Sequence, residues 1–203
     1  MVQLSSPRSV LAPMAFALGL ACAGSSAHAA VLVVDALADS SNSGLGIGLL
    51  DALTLTMGET FEVSASPDDL WSAGALPRWS NADGLTHDLF ATGTDESGEP
   101  AGTLIGTNFG LLTFNGFSAP FGSLVGEIGT GPGSYRLFGT HFVGPAWAAG
   151  PLTLFYWDSF TADNSGSVAV TITAIPEPAA WSLMILGFGA TGALLRRRRA
   201  VVA

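Results

Sequence analysis

Between residues 30 and 175 the apolar residues do not recur at the 3.6-residue period of an amphipathic helix. They come in short runs, several of them alternating with polar residues. The most regular run is 167–173, where Val168, Val170 and Ile172 point one way and Ser167, Ala169, Thr171 and Thr173 the other. Further runs lie at 31–34, 103–105, 124–128, 135–142 and 152–157. Leu53-Thr54-Leu55-Thr56, a Met57-Gly58-Glu59 turn and Phe61-Glu62-Val63 read as a hairpin. Gly, Pro, Asn and Asp clusters separate the runs, in a chain with 26 Gly and 11 Pro. Short strands with this punctuation predict an all-β fold: a single antiparallel β-sandwich or jelly roll over residues 30–175, with 166–174 a central strand. A core of that size can be buried without disulfides. The chain has one Cys, too few for an internal disulfide or a cysteine-based zinc site.

Both ends read as addresses. Residues 1–29 are expected to be a signal peptide: Arg8 supplies the positive start, 10–24 is a short apolar stretch, and Ala27-His28-Ala29 is a small-x-small cleavage site. Lipidation at Cys22 is the alternative, but Gly19 stands where a lipobox has Leu. At the other end, 179–195 is 17 residues without a charge, at the low limit for a transmembrane helix. Arg196, Arg197, Arg198 and Arg199 follow, which places the C-terminus on the cytoplasmic side and residues 30–175 outside.

Pro176-Glu177-Pro178, Trp181, the Gly187-Phe188-Gly189 element and the four arginines together resemble the PEP-CTERM sorting signal in its PEPxxWA subtype, with Ser182 where that subtype more often has Ala. The resemblance covers residues 176–203. It implies export through the inner membrane of a Gram-negative bacterium that makes extracellular polysaccharide. It also implies transient anchoring by the C-terminal helix, and cleavage near the Pro-Glu-Pro motif by an exosortase-type membrane protease. The final destination would be the cell surface or extracellular matrix.

Charge narrows what the exported part can do. The whole chain carries a net charge of -9; with Arg8, the four terminal arginines and Glu177 set aside, Arg78 and Arg136 face 15 acids, a net -13. A nucleic-acid partner is excluded, because phosphate binding needs a basic footprint. A field of this sign favours cations, and it also serves solubility.

Two stretches read as loops: 64–88, long, polar and aromatic-bearing, and 93–102, a solvated, mobile turn with three acids. The strongest chemical constellation is 156–166. Asp158 ends one strand, and Asp163, Asn164 and Ser165 precede the next. Calcium takes six to eight hard oxygen ligands, which Asp158, Asp163, Asn164 and the Thr161 carbonyl would begin to supply. Asp-Asn-Ser-Gly is equally favoured turn chemistry. Catalytic readings find less. Asp68-Asp69 and Asp95-Glu96 are neighbours that point opposite ways in extended chain. His87 and His141 lack zinc-ligand spacing, and no nucleophile elbow or phosphate loop is present. The expected protein is not an enzyme; an exported hydrolase is the weakest reading.

Residues 122–173 also resemble the C-terminal half of the calcium-dependent galactose-binding lectins of bacteria, the PA-IL-like family. The resemblance rests on Leu152-Thr153-Leu154-Phe155-Tyr156, Asp158, Asp163-Asn164-Ser165-Gly166 and the final alternating strand. This chain has a four-residue loop where the family has six, Asp163 where it has Asn, and His87 without the family's Gln. The resemblance implies Ca2+ held by Asp158, Asp163, Asn164 and the Thr161 carbonyl, with two sugar hydroxyls bound directly to the metal. His87 would be the loose counterpart of the family's sugar-contacting His. In the 71–85 stretch, Trp71 and Trp79 read equally as platforms that stack on sugar faces and as buried tryptophans covering an end of the sandwich. The expected function is therefore a lectin-like, carbohydrate-binding surface or matrix module. The alternative is a structural surface protein with no small ligand.

Overall fold

The computed structural model describes residues 29–41, 48–131, 133–175, 184–193 and 196. The chain divides into two compact units, Ser25–Leu183 and Met1–Gly24 with Met184–Ala203. Among the described residues the larger unit runs β1 (Ala29–Asp35), β2 (Leu49–Leu55), β3 (Thr60–Ala65), β4 (Trp71–Ser72) and β5 (Trp79–Ser80). It continues with β6 (Leu89–Phe90), β7 (Leu104–Gly106), β8 (Leu111–Phe114), β9 (Phe117–Pro120) and β10 (Ser123–Ile128). It closes with β11 (Tyr135–Leu137), β12 (His141–Pro145), β13 (Gly150–Trp157), one 3-10 turn (Thr161–Asp163) and β14 (Ser165–Ala174).

Two sheets enclose one core. The first has six strands ordered β12-β3-β14-β4-β5, with β1 on the free side of β14; the second is β11-β10-β13-β2. β14 is the central strand of its sheet. Val170 pairs with Ala65 of β3 on one side and Leu32 of β1 on the other, and Gly166 pairs with Trp71 of β4. Its alternation is realised in full: Val168, Val170 and Ile172 are completely buried. Each such side chain contributes roughly 1.5–3 kcal/mol on leaving water. They meet Leu124, Leu152, Leu154 and Tyr156 of the facing sheet in one cluster. The chain is thus mostly β, built as a sandwich.

β13 is buried on both faces. Leu152, Leu154 and Tyr156 point into the common core. Phe155 and Trp157 point outward and are covered by the β8–β9 hairpin through Phe114 and Phe117. That hairpin turns at Asn115-Gly116, both with positive φ (50° and 78°), the Asn-Gly signature of a two-residue hairpin loop.

Two sequence expectations are corrected. The 53–63 segment is not a hairpin: β2 pairs with β13 in one sheet, and β3 pairs with β12 and β14 in the other. Turn residues Thr56 and Glu59 bond each other, and Gly58 N–H and Glu59 C=O bond Ala146, so the chain arches between sheets. Leu55 and Phe61 are buried on opposite sheets of one core. Likewise 135–142 is not one strand but β11 and β12, in different sheets. The crossing is at Gly139, whose φ is +61° and where a Cβ would stand 2.5 Å from Asp83 Oδ1. Asp83 accepts bonds there from Thr140 N–H (2.7 Å) and Thr140 Oγ1 (3.0 Å). Local alternation reports which residues face a core, and both halves of these segments do; it does not report which sheet they join.

The expected loops are more ordered than their composition suggests. Residues 64–88 contain β4 and β5, which extend the first sheet. In 93–102, Asp95 gathers its own loop, accepting bonds from Thr92 N–H, Thr92 Oγ1, Ser97 N–H and Ser97 Oγ.

In the smaller unit residues 184–193 are helical, with Met184, Ile185, Leu186 and Phe188 exposed. Among the described residues no helix is long and apolar enough to cross a membrane. Of the expected transmembrane segment, 179–183 and 194–195 lie outside the described residues, as do 1–28 of the expected signal peptide. Pro176, Glu177, Pro178, Trp181, Arg197, Arg198 and Arg199 lie outside them too.

Candidate functional site

The site is built where β13 ends and β14 begins. The chain leaves β13 at Asp158, makes the 3-10 turn and re-enters the sheet at Ser165. The segment after β1 runs alongside. Ser41 Oγ donates to Asp158 C=O (3.0 Å) and accepts from Asp158 N–H (3.1 Å). Asn164 Nδ2 donates to Ala36 C=O (3.0 Å), and Ala36 N–H to Gly166 C=O (3.0 Å). The turn itself is closed by Asn164 N–H on Thr161 C=O (3.1 Å). Four strand ends and turns are therefore tied around one loop.

Asp158 is a buried carboxylate, 5% exposed. Burial pushes its carboxyl above the usual range. The Ser159 and Phe160 N–H groups and the Asn164 side chain pull it back, and the Asp163 charge pushes it up again. Asp163 is half-exposed and lies 3.7 Å, Oδ2 to Nη1, from Arg78. Arg78 also donates to Ala73 C=O (3.3 Å) and lies over the Phe109 ring. Asp163 Oδ2 packs so close to Gly74 that a side chain there would run into it.

Three buried oxygens here have no hydrogen-bond partner among the described residues: Tyr156 Oη, Thr161 Oγ1 and Asn164 Oδ1. Tyr156 is completely buried, and its hydroxyl is held well above its ordinary range by burial and by the charges of Asp158 and Asp163. Unpaired buried oxygens each cost about 1–3 kcal/mol, so two on this turn and a third on the end of β13 are exceptional. Among the described residues no group of three or more His, Cys, Asp or Glu side chains is placed to hold a metal ion.

The loops 66–85 and 158–166 meet. β4 pairs with the start of β14, Arg78 reaches Asp163, and Asp69 Oδ2 accepts from Ala169 N–H (2.7 Å). The three aromatic candidates divide. Trp71 is completely buried, donates Nε1 to Gly122 C=O (2.8 Å), and packs edge-on against Tyr156 at 4.6 Å. It is a core residue beneath the loop, with no face left for a sugar, which corrects its expected stacking role. Trp79 is half-buried against Leu70, Ala91 and Ile105. It lines a shallow pocket of about 10 Å³ with Ser80, Asn81, Gly84, His87 and Leu89. His87 is exposed, its Nδ1 2.9 Å from Thr86 Oγ1.

Sequence reasoning missed Arg78 and Ser41 as parts of this site, and it placed Tyr156 in the constellation without a role. Arg78 is one of two cations between 30 and 175, and Tyr156 stands two residues before Asp158, so both had a signal. Ser41, in a run of serines 117 residues from its partner, had none.

The N-terminal domain of EclA, a PllA-like lectin, is similar in structure at 21% identity over 71% of this chain and 95% of that one, with a TM-score of 0.41. Comparison with curated protein sequences finds no match. Residues 174–199 match the PEP-CTERM protein-sorting motif, beginning on the last residue of β14, and the chain carries that sorting motif at its C-terminal end.

Proposed function

We propose that the sandwich is a non-catalytic, calcium-dependent carbohydrate-binding module displayed at the surface or in the matrix of a Gram-negative bacterium. In this reading Asp158, Asp163, Asn164 and the Thr161 carbonyl hold Ca2+, and Trp79 with His87 contributes the flank that meets the sugar. The metal supplies direct coordination of two sugar hydroxyls. The chain's own residues orient it: Ser41 braces Asp158, the 3-10 turn presents the Thr161 carbonyl, and the Asn164 amide is anchored on Ala36. The observation that carries the reading is the set of unpartnered buried oxygens beside Asp158, above all Asn164 Oδ1. The sorting motif supports export, transient anchoring through residues 179–195, and cleavage by an exosortase-type protease, with extracellular polysaccharide as the natural partner. The test is a glycan array run with calcium and with chelator, beside calorimetric titration of calcium itself. Sugar binding that vanishes with chelator supports the proposal; absence of both calcium and sugar binding ends it.

A second reading rests on Arg78. Its guanidinium already lies beside Asp163, and Asp158 already accepts bonds from its own loop. Here the loop is a closed structural joint, and the protein is a matrix component with no small ligand. Calcium that fails to displace the Arg78–Asp163 pair favours this reading.

A further inference from the structure

The six-stranded sheet ends on β1, and among the described residues no strand pairs with its outer edge; Asp39 occupies only the last residue there, accepting from Asp35 N–H on Oδ2 (2.8 Å) and donating its own N–H to Asp35 C=O (2.9 Å). Exposed edges invite pairing with another chain, and folded proteins blunt them with prolines, charges, bulges or short length. The other edges here carry such devices. β12 ends in Gly144-Pro145, β5 has two residues, and β11 has three including Arg136. β2 has a register shift and Asp51 at φ +56°. β1 has seven residues, Ala-Ala-Val-Leu-Val-Val-Asp, with no proline, no break in its register with β14, and one charge, at its end. On the face away from the core, Val31 is 71% exposed and Val33 59%.

We infer that β1 pairs antiparallel with β1 of a second copy, joining two six-stranded sheets into one. The strand is complementary to itself. Side chains opposite one another in a sheet share a face, so the outward Val31 and Val33 must oppose outward residues of the other copy. Centring the two-fold axis on Leu32 sets Val31 against the partner's Val33 and Val33 against the partner's Val31. Four exposed valines then form one apolar patch, while Asp35, whose edge groups are bonded by Asp39, lies beyond the paired stretch and no like charges meet. This is an isologous contact that closes at two copies. In a domain of net -13, a seven-residue edge with a single terminal charge is a surface where two copies can approach without strong repulsion.

Sedimentation equilibrium of the exported protein at micromolar concentration is expected to give twice the monomer mass. Val33→Lys is expected to halve it with little change in melting temperature, since that side chain is exposed. Val143→Lys, on the exposed face of β12, is expected to leave the dimer intact. Register is read by oxidative cross-linking. The double variant Val31→Cys, Val33→Cys is expected to cross-link several-fold more than either single variant, because like positions sit on a diagonal too long for a disulfide. A monomeric mass, a dimer that survives Val33→Lys, or single variants that cross-link as well as the double would each overturn the inference. Cross-linking still decides the matter if Val33→Lys fails to fold.

Discussion

Two acid-bearing loops of this molecule solve opposite problems. Asp95 sits at the surface and is satisfied by its own neighbours: bonds from Ser97 and Thr92 hold its carboxyl down to about 2. Asp158 is buried, is pushed above the usual range by desolvation, and shares its surroundings with Asp163 and three unpartnered oxygens. The Asp95 loop is complete without a cation. The Asp158 loop holds one carboxylate and buried lone pairs out of water, which raises the energy of the folded state. Acid content alone, three in 93–102 against two in 156–166, does not predict which loop buries its charge; burial separates them.

The largest test of that contrast removes the floor of the buried loop. Trp71→Ala is expected to cost about 3–5 kcal/mol and to lower the melting temperature sharply. It takes away the ring against Tyr156 and leaves Gly122 C=O without its indole donor. Thermal melts of the variant check it, and a loss under about 1 kcal/mol would mean that Trp71 is not the packed core residue described. Trp79→Ala, at a half-buried site, is expected to cost less.

Calcium comes next in size. At a hundredfold excess over Kd, binding to the folded state alone adds about 2.7 kcal/mol. The melting temperature is then expected to rise by about 5–11 °C. Asp158→Ala should abolish the rise and Asp95→Ala should leave it in place. Magnesium should do much less, because it demands a tight octahedral site and dehydrates reluctantly. A melting curve indifferent to millimolar calcium would reduce the Asp158 loop to a turn.

The smallest effect is in pH, where the two acids have opposite signs. The folded-state value of Asp158 is raised, so its charge opposes folding at neutral pH. That penalty is relieved as pH falls through its raised folded value, and the relief is complete below the ordinary unfolded value of 3.8. Asp95 is depressed, so its contribution is present above 3.8 and disappears as pH falls from there through about 2. Without calcium, Asp158→Asn should therefore flatten the mildly acidic side of the stability profile, and Asp95→Asn only the strongly acidic side. Denaturant melts across pH 2–7 measure both, and identical profiles for the two variants would erase the distinction drawn here.

What could be read from the sequence follows the range of the forces involved. β14 was legible because Val168, Val170 and Ile172 alternate without interruption and every one of them meets the core. The two arches at 56–59 and 138–140 were not. A turn between two apolar runs has the same local chemistry whether it closes a hairpin or carries the chain to the opposite sheet. Asp83, 57 residues from Thr140, supplies the decisive contact at the second arch. The reverse case is Asn115-Gly116, a strong local hairpin signal left unused. For the site, the cluster of Asp158, Thr161, Asp163 and Asn164 was visible as a spacing. The burial of Trp71 was not, because an aromatic among polar residues in a long segment reads equally as a ligand platform or as a plug.

The place of β14 in the chain has a consequence for how the protein is made. It follows every other described strand in the chain, yet β1 pairs with no other strand, and β3 and β4 are joined only through it. The first strand must wait, solvated and unpaired, for residues 167–173 before it has a neighbour. A nascent chain cannot assemble this sheet strand by strand, and it remains unfinished until residues 165–174 are made. The sorting motif starts at residue 174, on the final residue of that same strand. A polypeptide that terminates early therefore lacks its fold and its address together, so one stretch of sequence marks both completion and delivery.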